Sequence, residues 1–165
     1  MRSQNLTRRD VIEDPELAYK SALNLLSYRK RTRLEMEQRL GKRFSKRAIE
    51  GVIRRLIKVG YLDDLQFAKD WTEGRGKNKP RSGSLIRSEL RKKGIENELV
   101  LLVTADVDDD SNAYSAGLKH VRALNGVPRQ KVVSRLTGYL QRRGFSTAVV
   151  LRTVNKLALE RDQWC

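Results

Sequence analysis

The chain has 165 residues, enough for one domain or several small ones, and carries 35 Lys and Arg against 20 Asp and Glu, for a formal charge of +15. Solubility does not need that excess, which repels itself, so a negatively charged partner is expected: nucleic acid, an acidic protein face or a membrane surface. The one cysteine, Cys165, rules out an intrachain disulfide framework; MRSQNLTRRDVIEDPE has no apolar signal-peptide core and no segment is apolar enough to cross a bilayer, so the cytoplasm is the expected compartment.

Helix signals begin at Asp14 and Pro15, where proline suits the first helical position and Leu17, Ala18, Ala22, Leu25 and Leu26 make an apolar face. Thr32 with Glu35 predicts a capping box opening a helix that carries Met36 and Leu40. Ser45 caps a third through Ile49, Val52, Ile53, Leu56 and Ile57, and Gly60 is placed to end it. Asp63 or Asp64 caps a fourth with Phe67, Ala68 and Trp71, and GRGKNKPRSGS reads as a loop. Ser82 or Ser84 starts a fifth through Leu85, Ile86 and Leu90, which Gly94 stops; a sixth follows Ile95 to about Asp106. A seventh is expected near 112–124. The eighth starts near Pro128 and carries Val132, Val133, Leu136 and Leu140 up to Gly144. Ser146 caps the ninth, with Val149, Val150, Val154 and Leu157.

These nine helices fall into a repeat. LRKKGIENELV at 90–100 returns fifty residues later as LQRRGFSTAVV at 140–150, with Gly94 on Gly144 and Ile95 on Phe145. A stripe of Leu99, Val103 and Val107 matches Val149, Thr153 and Leu157. A fainter copy lies upstream, from Leu40 through Phe44 to Leu56. The expected fold is all-α: three tandem three-helix repeats in an elongated, curved protein, each small core leaning on its neighbours. The expected divisions are a flexible segment at 1–14, units at 15–62, 63–110 and 111–161, and a tail at 162–165.

The charge follows the second helix of each unit and its flanks. Residues 29–58 hold twelve bases and three acids, 75–95 eight and one, and 119–161 ten and one, whereas 96–110 hold six acids and no base. Arg91, Lys92 and Lys93 stand where Gln141, Arg142 and Arg143 stand in the next copy, and Lys42 and Arg43 occupy the related turn of the first. Regular stacking of the units would make these a spaced basic stripe, suited to a nucleic-acid backbone or a protein filament. The plainer reading is that bases late in a helix complement its carbonyl end. Tyr28, Tyr61, Tyr114 and Tyr139 are candidate stacking surfaces or core residues.

Catalytic chemistry finds little support. His120 is the only histidine, no zinc cluster can be assembled, and there is no GxxxxGK[ST] loop. Asp106, Asp108, Asp109 and Asp110 read as a linker and first-turn charge rather than a magnesium site. No enzyme activity, cofactor or metal is expected.

RRLIKVGYLDDLQFAKDW resembles the signature of the RecX family, bacterial regulators of the RecA recombinase, in which a helix ends at Gly-Tyr-Leu-Asp-Asp and the next opens with Phe-Ala. The matching residues are Gly60, Tyr61, Leu62, Asp63, Asp64, Phe67 and Ala68. LLSYRKRTRLEMEQRL upstream and SGSLIRSELRKKGI downstream also resemble family segments. Two departures stand out: Leu85 and Ile86 where many members have Arg-Ile, and the acidic DVDDDSNA at the second junction. The resemblance implies a tandem three-helix fold without catalytic residues. It implies binding to RecA and to the RecA–DNA filament, limiting strand exchange, ATPase and coprotease functions in DNA repair and the SOS response, without a membrane. A monomer is expected, with Arg91, Lys92, Lys93, Arg142 and Arg143, then Lys42 and Arg43, meeting the partner. The alternative is a basic nucleic-acid-binding protein acting without RecA.

Overall fold

The computed structural model describes residues 11–77 and 80–162. Among these the structure is all-α, with α1 (Pro15–Tyr28), α2 (Arg33–Leu40), α3 (Lys46–Lys58), α4 (Asp64–Lys77), α5 (Gly83–Lys92), α6 (Asn97–Thr104), α7 (Asp109–Arg122), α8 (Arg129–Arg142) and α9 (Thr147–Asp162). They form three three-helix repeats. No described helix is long and apolar enough to cross a membrane.

The caps follow the local chemistry. Asp14, Thr32 and Ser45 accept backbone N–H groups at the starts of α1, α2 and α3. Asp63, rather than Asp64, caps α4 by accepting Gln66 N–H at 2.8 Å, and Ser82, rather than Ser84, caps α5 by accepting Leu85 N–H at 3.1 Å. The capping box at Thr32 is only half made. Glu35 N–H reaches Thr32 Oγ1, but the Glu35 carboxylate turns away to Arg29 and Lys93.

Other expectations are corrected. Gly74 to Lys77 are not loop but the last turn of α4, whose bases Arg75 and Lys77 pair with Glu89 and Glu73; Asn78 and Lys79 lie outside the described residues. The sixth helix stops at Thr104, so Val107 leaves the stripe, and the fully buried residue of α6 is Val100. α7 opens earlier than expected because Asp108 caps it, accepting Asp110 and Ser111 N–H. Of the expected flexible segment, residues 1–10 lie outside the described residues, but Ile12 is tethered: its N–H reaches Arg43 C=O and its C=O accepts Ser45 N–H, both at 2.9 Å. Of the expected tail, Asp162 ends α9 and 163–165 lie outside the described residues.

Packing divides the chain into two compact units. The first holds α1 to α3, the start of α4 through Phe67, and the short stretch Lys93–Ile95. Its core gathers Ala18, Ala22, Met36, Leu40, Phe44, Val52, Leu56 and Leu62. The second holds the rest of α4, α5 and the chain from Glu96 onward. There α7, α8 and α9 enclose Ala113, Ala116, Leu136, Leu140, Phe145, Val150 and Leu157. Each fully buried large aliphatic side chain contributes roughly 1.5–3 kcal/mol.

Candidate functional site

The turn between the second and third helices of each repeat carries most of the residues that the sequence singles out. Its second and third copies are built alike, and the first shares with them a carbonyl held from outside the turn. Gly94 and Gly144 stop their helices at φ +80 and +82, a left-handed conformation natural to glycine. The carbonyl just before this point is then held from outside the turn. Lys93 C=O accepts Thr32 Oγ1 at 2.7 Å, and Arg143 C=O accepts Ser82 N–H at 3.1 Å. In the first repeat Arg43 C=O accepts Ile12 N–H. Thr32 and Ser82 are themselves fifty residues apart and both cap a second helix, so the docking repeats along with the sequence.

This docking separates the seven candidate bases. Lys93 faces inward: its Nζ donates to Glu35 at 2.7 Å and lies 5.4 Å from the Phe67 ring centre. Arg143, its counterpart, donates to Pro80 C=O at 3.0 Å and lies against the Tyr139 ring. Arg91 is exposed but held by Asn97 Oδ1. Lys42, Arg43, Lys92 and Arg142 are exposed on their turns. The signature residues are structural in position. Gly60 turns the chain at φ +75, Leu62, Phe67 and Ala68 are buried, and Asp64 accepts Arg33 N–H, while Tyr61 is exposed.

The electrostatics centre on Glu35. Burial alone would raise its pKa, but hydrogen bonds from Arg29 at 2.8 Å and Lys93 at 2.7 Å outweigh that and hold it at about 2. His120 stacks on Tyr139 with ring centres 4.0 Å apart; burial, then Arg142, Arg143 and Arg135, push its pKa below the ordinary value. Tyr28 and Tyr61 are exposed, whereas Tyr114 donates to Glu160 and packs with Tyr139 against the last repeat's core. Among the described residues no group of three or more His, Cys, Asp or Glu could hold a metal. The sequence reading passed over Arg29, Arg31 and Arg39, which line a surface crevice with Lys42. The available signal was the density of bases flanking the Thr32 cap.

Thr32 has two jobs on one oxygen, capping α2 and holding the Lys93 carbonyl, and it is fully buried. Thr32→Val is therefore expected to lower unfolding free energy by about 2 kcal/mol, and Thr32→Ser by well under half of that. Urea denaturation of the two variants checks this.

Family models for the first and second three-helix domains of RecX match residues 18–56 and 63–100. The regulatory protein RecX of Mycolicibacterium smegmatis is 35% identical over 158 residues, covering 90% of this chain and 84% of that protein. The chain belongs to the RecX family. The RecX of Streptomyces coelicolor is 34% identical over 154 residues, covering 90% of this chain and 81% of that protein. The crystal structure of RecX from Lactobacillus salivarius shares the fold, with a TM-score of 0.71 at 22% identity over 88% of this chain and 97% of that one. A second structure, of regulatory protein RecX, gives 0.71 at 21% identity, covering 86% of this chain and 73% of that one. Family membership makes this chain a bacterial regulatory protein. The family's signature also gains a physical account: Gly60 makes the turn, Leu62 fills the first core, Asp63 caps α4 and Phe67 packs under Lys93.

Proposed function

We propose that this chain binds the RecA recombinase and its filament on DNA, and restrains the recombinase, ATPase and coprotease activities in DNA repair and the SOS response. The observation that carries the reading is family likeness extending over 90% of the chain to proteins named for regulation. The exposed bases Lys42, Arg43, Arg91, Lys92 and Arg142 support it, since each lies at the surface of its turn, where it can meet a phosphate or an acidic side chain. Restraint works by occupancy, with no bond made or broken. Weak contacts on linked repeats add up to avidity without a deep pocket. The protein acts in the cytoplasm as a monomer.

Titration against bare single- and double-stranded DNA and against RecA filaments, at about 50 and about 200 mM salt, tests the reading. Filaments bind more tightly than either bare DNA at both salts. Equal affinity for all three, falling steeply with salt, supports instead a basic nucleic-acid binder that acts without RecA. Arg91→Glu with Lys92→Glu is expected to weaken filament binding about tenfold or more while helix content is unchanged. Unchanged filament binding removes this turn from the interface.

A further inference from the structure

On the first unit, between the end of α1 and the outer face of α2, lies an open crevice of about 290 Å³ lined by Arg29, Arg31, Glu35, Gln38, Arg39 and Lys42. Four of its six residues are basic, and its one acid is already engaged by Arg29 and Lys93. Glu35 offsets one of the four positive charges, so the lining keeps a net excess of about three.

Arg31 is the unusual member. It is only 9% exposed, yet among the described residues its one side-chain hydrogen bond runs from Nε to the Leu25 carbonyl at 3.1 Å, and it forms no ion pair there. Its two terminal nitrogens make no hydrogen bond among the described residues, and the residue lines the crevice. Burial, then the like charges of Arg29 and Arg39, push its pKa below the ordinary arginine value, and Glu35 offsets part of this. A guanidinium crowded beside two others is favoured by an anion that joins it. The Arg31 Nε satisfies the Leu25 carbonyl in the last turn of α1, a task that does not occupy the terminal nitrogens.

The arrangement also says which anion fits. A carboxylate has two oxygens and is satisfied by a single guanidinium fork. Three guanidinium groups and an ammonium around one opening suit a group with more charge and more acceptor oxygens.

We propose that the crevice of Arg29, Arg31, Arg39 and Lys42 is a phosphate-binding site, taking either a phosphodiester of a nucleic-acid strand or the terminal phosphates of a nucleotide. It deepens the DNA part of the function proposed above and rests on that reading only for the source of the phosphate.

The test is calorimetric titration of the full chain, without RecA, with inorganic phosphate, ATP and a short oligothymidylate. Arg31→Gln is expected to weaken the phosphate-bearing probe that binds by about tenfold. Arg39→Gln combined with Lys42→Gln, at the exposed rim, has the same direction and carries the test if the Arg31 variant loses its helical circular dichroism. Lys58→Gln removes one charge outside the crevice and is expected to change affinity less than about twofold. Tighter binding of the oligothymidylate than of ATP assigns the site to nucleic acid, and the reverse assigns it to a nucleotide. The proposal is overturned if none of the three probes binds, if Lys58→Gln weakens binding as much as the crevice variants do, or if a glutamate-rich peptide binds there more tightly than the phosphates. A chain that inhibits RecA but fails this test sinks the crevice alone. One that passes it but leaves RecA untouched sinks the function proposed above and leaves the crevice standing.

Discussion

Gly94→Val is expected to destabilise the first unit by roughly 3–5 kcal/mol, combining about 1–2 kcal/mol for a β-carbon at positive φ with a similar or larger cost of overpacking. The backbone there has φ +80, and a β-carbon would lie 2.5 Å from both Cβ and Cδ2 of Leu34. Leu34 Cβ cannot swing aside as a side-chain tip can, so the turn itself must lift. Lifting it pulls Lys93 C=O from Thr32 and Lys93 Nζ from Glu35, which makes the two costs cooperative. Gly60→Ala supplies the contrast. Its φ is +75 but nothing lies within 4 Å of the added carbon, so only the strain of about 1–2 kcal/mol remains. Gly144→Ala belongs with Gly94, because its β-carbon would meet Leu85 Cβ and Ser82 Oγ at 2.7 Å. Urea unfolding of the three variants ranks them; Gly60→Ala matching Gly94→Val would mean that docking of the turn contributes nothing.

Lys93→Glu is the second large loss, about 3 kcal/mol, because it sets a carboxylate against Glu35 where both side chains are less than a fifth exposed. It also removes the cation from the Phe67 ring. The same cluster sets an acid dependence. Glu35 titrates at about 2 in the folded chain against an ordinary 4.5, so the unfolded chain takes up its proton first. Its contribution is complete above about pH 4.5 and is lost as the pH falls toward 2. Allowing for screening by water, the amount is about 1–3 kcal/mol. Glu35→Gln should flatten that part of the stability profile. A Gln variant with the same acid limb as the parent chain would remove Glu35 as its source. The cost at Lys93 is also why a charge-reversal test of the partner face stops at Arg91 and Lys92: reversing all three would confuse lost binding with lost folding.

Local chemistry made much of the fold legible. Asp14, Thr32 and Ser45 cap where their types and spacing predict, and Gly60, Gly94 and Gly144 turn where an L-residue would be strained. The end of α4 was not legible, because Gly74 and Gly76 weaken any helix signal and the ion pairs that bind this turn, Arg75 to Glu89 above all, depend on tertiary placement. The site was legible only in outline. Repetition identified the basic turns, but Arg91, Lys92 and Lys93 look alike in sequence. What distinguishes Lys93 is Glu35, fifty-eight positions earlier, and no periodicity within one helix carries that information. Arg143 is claimed in the same way by Pro80, sixty-three positions earlier. Arg31 was hidden for the opposite reason: its burial beside Arg29 and Arg39 runs against what the charge of the segment suggests.

RecA ATPase activity on single-stranded DNA, measured with increasing amounts of this chain, tests the central claim most directly. The rate is predicted to fall with the parent chain and to fall much less with Arg91→Glu combined with Lys92→Glu. An ATPase rate unchanged by the parent chain, at concentrations where it binds the DNA, would contradict the claim.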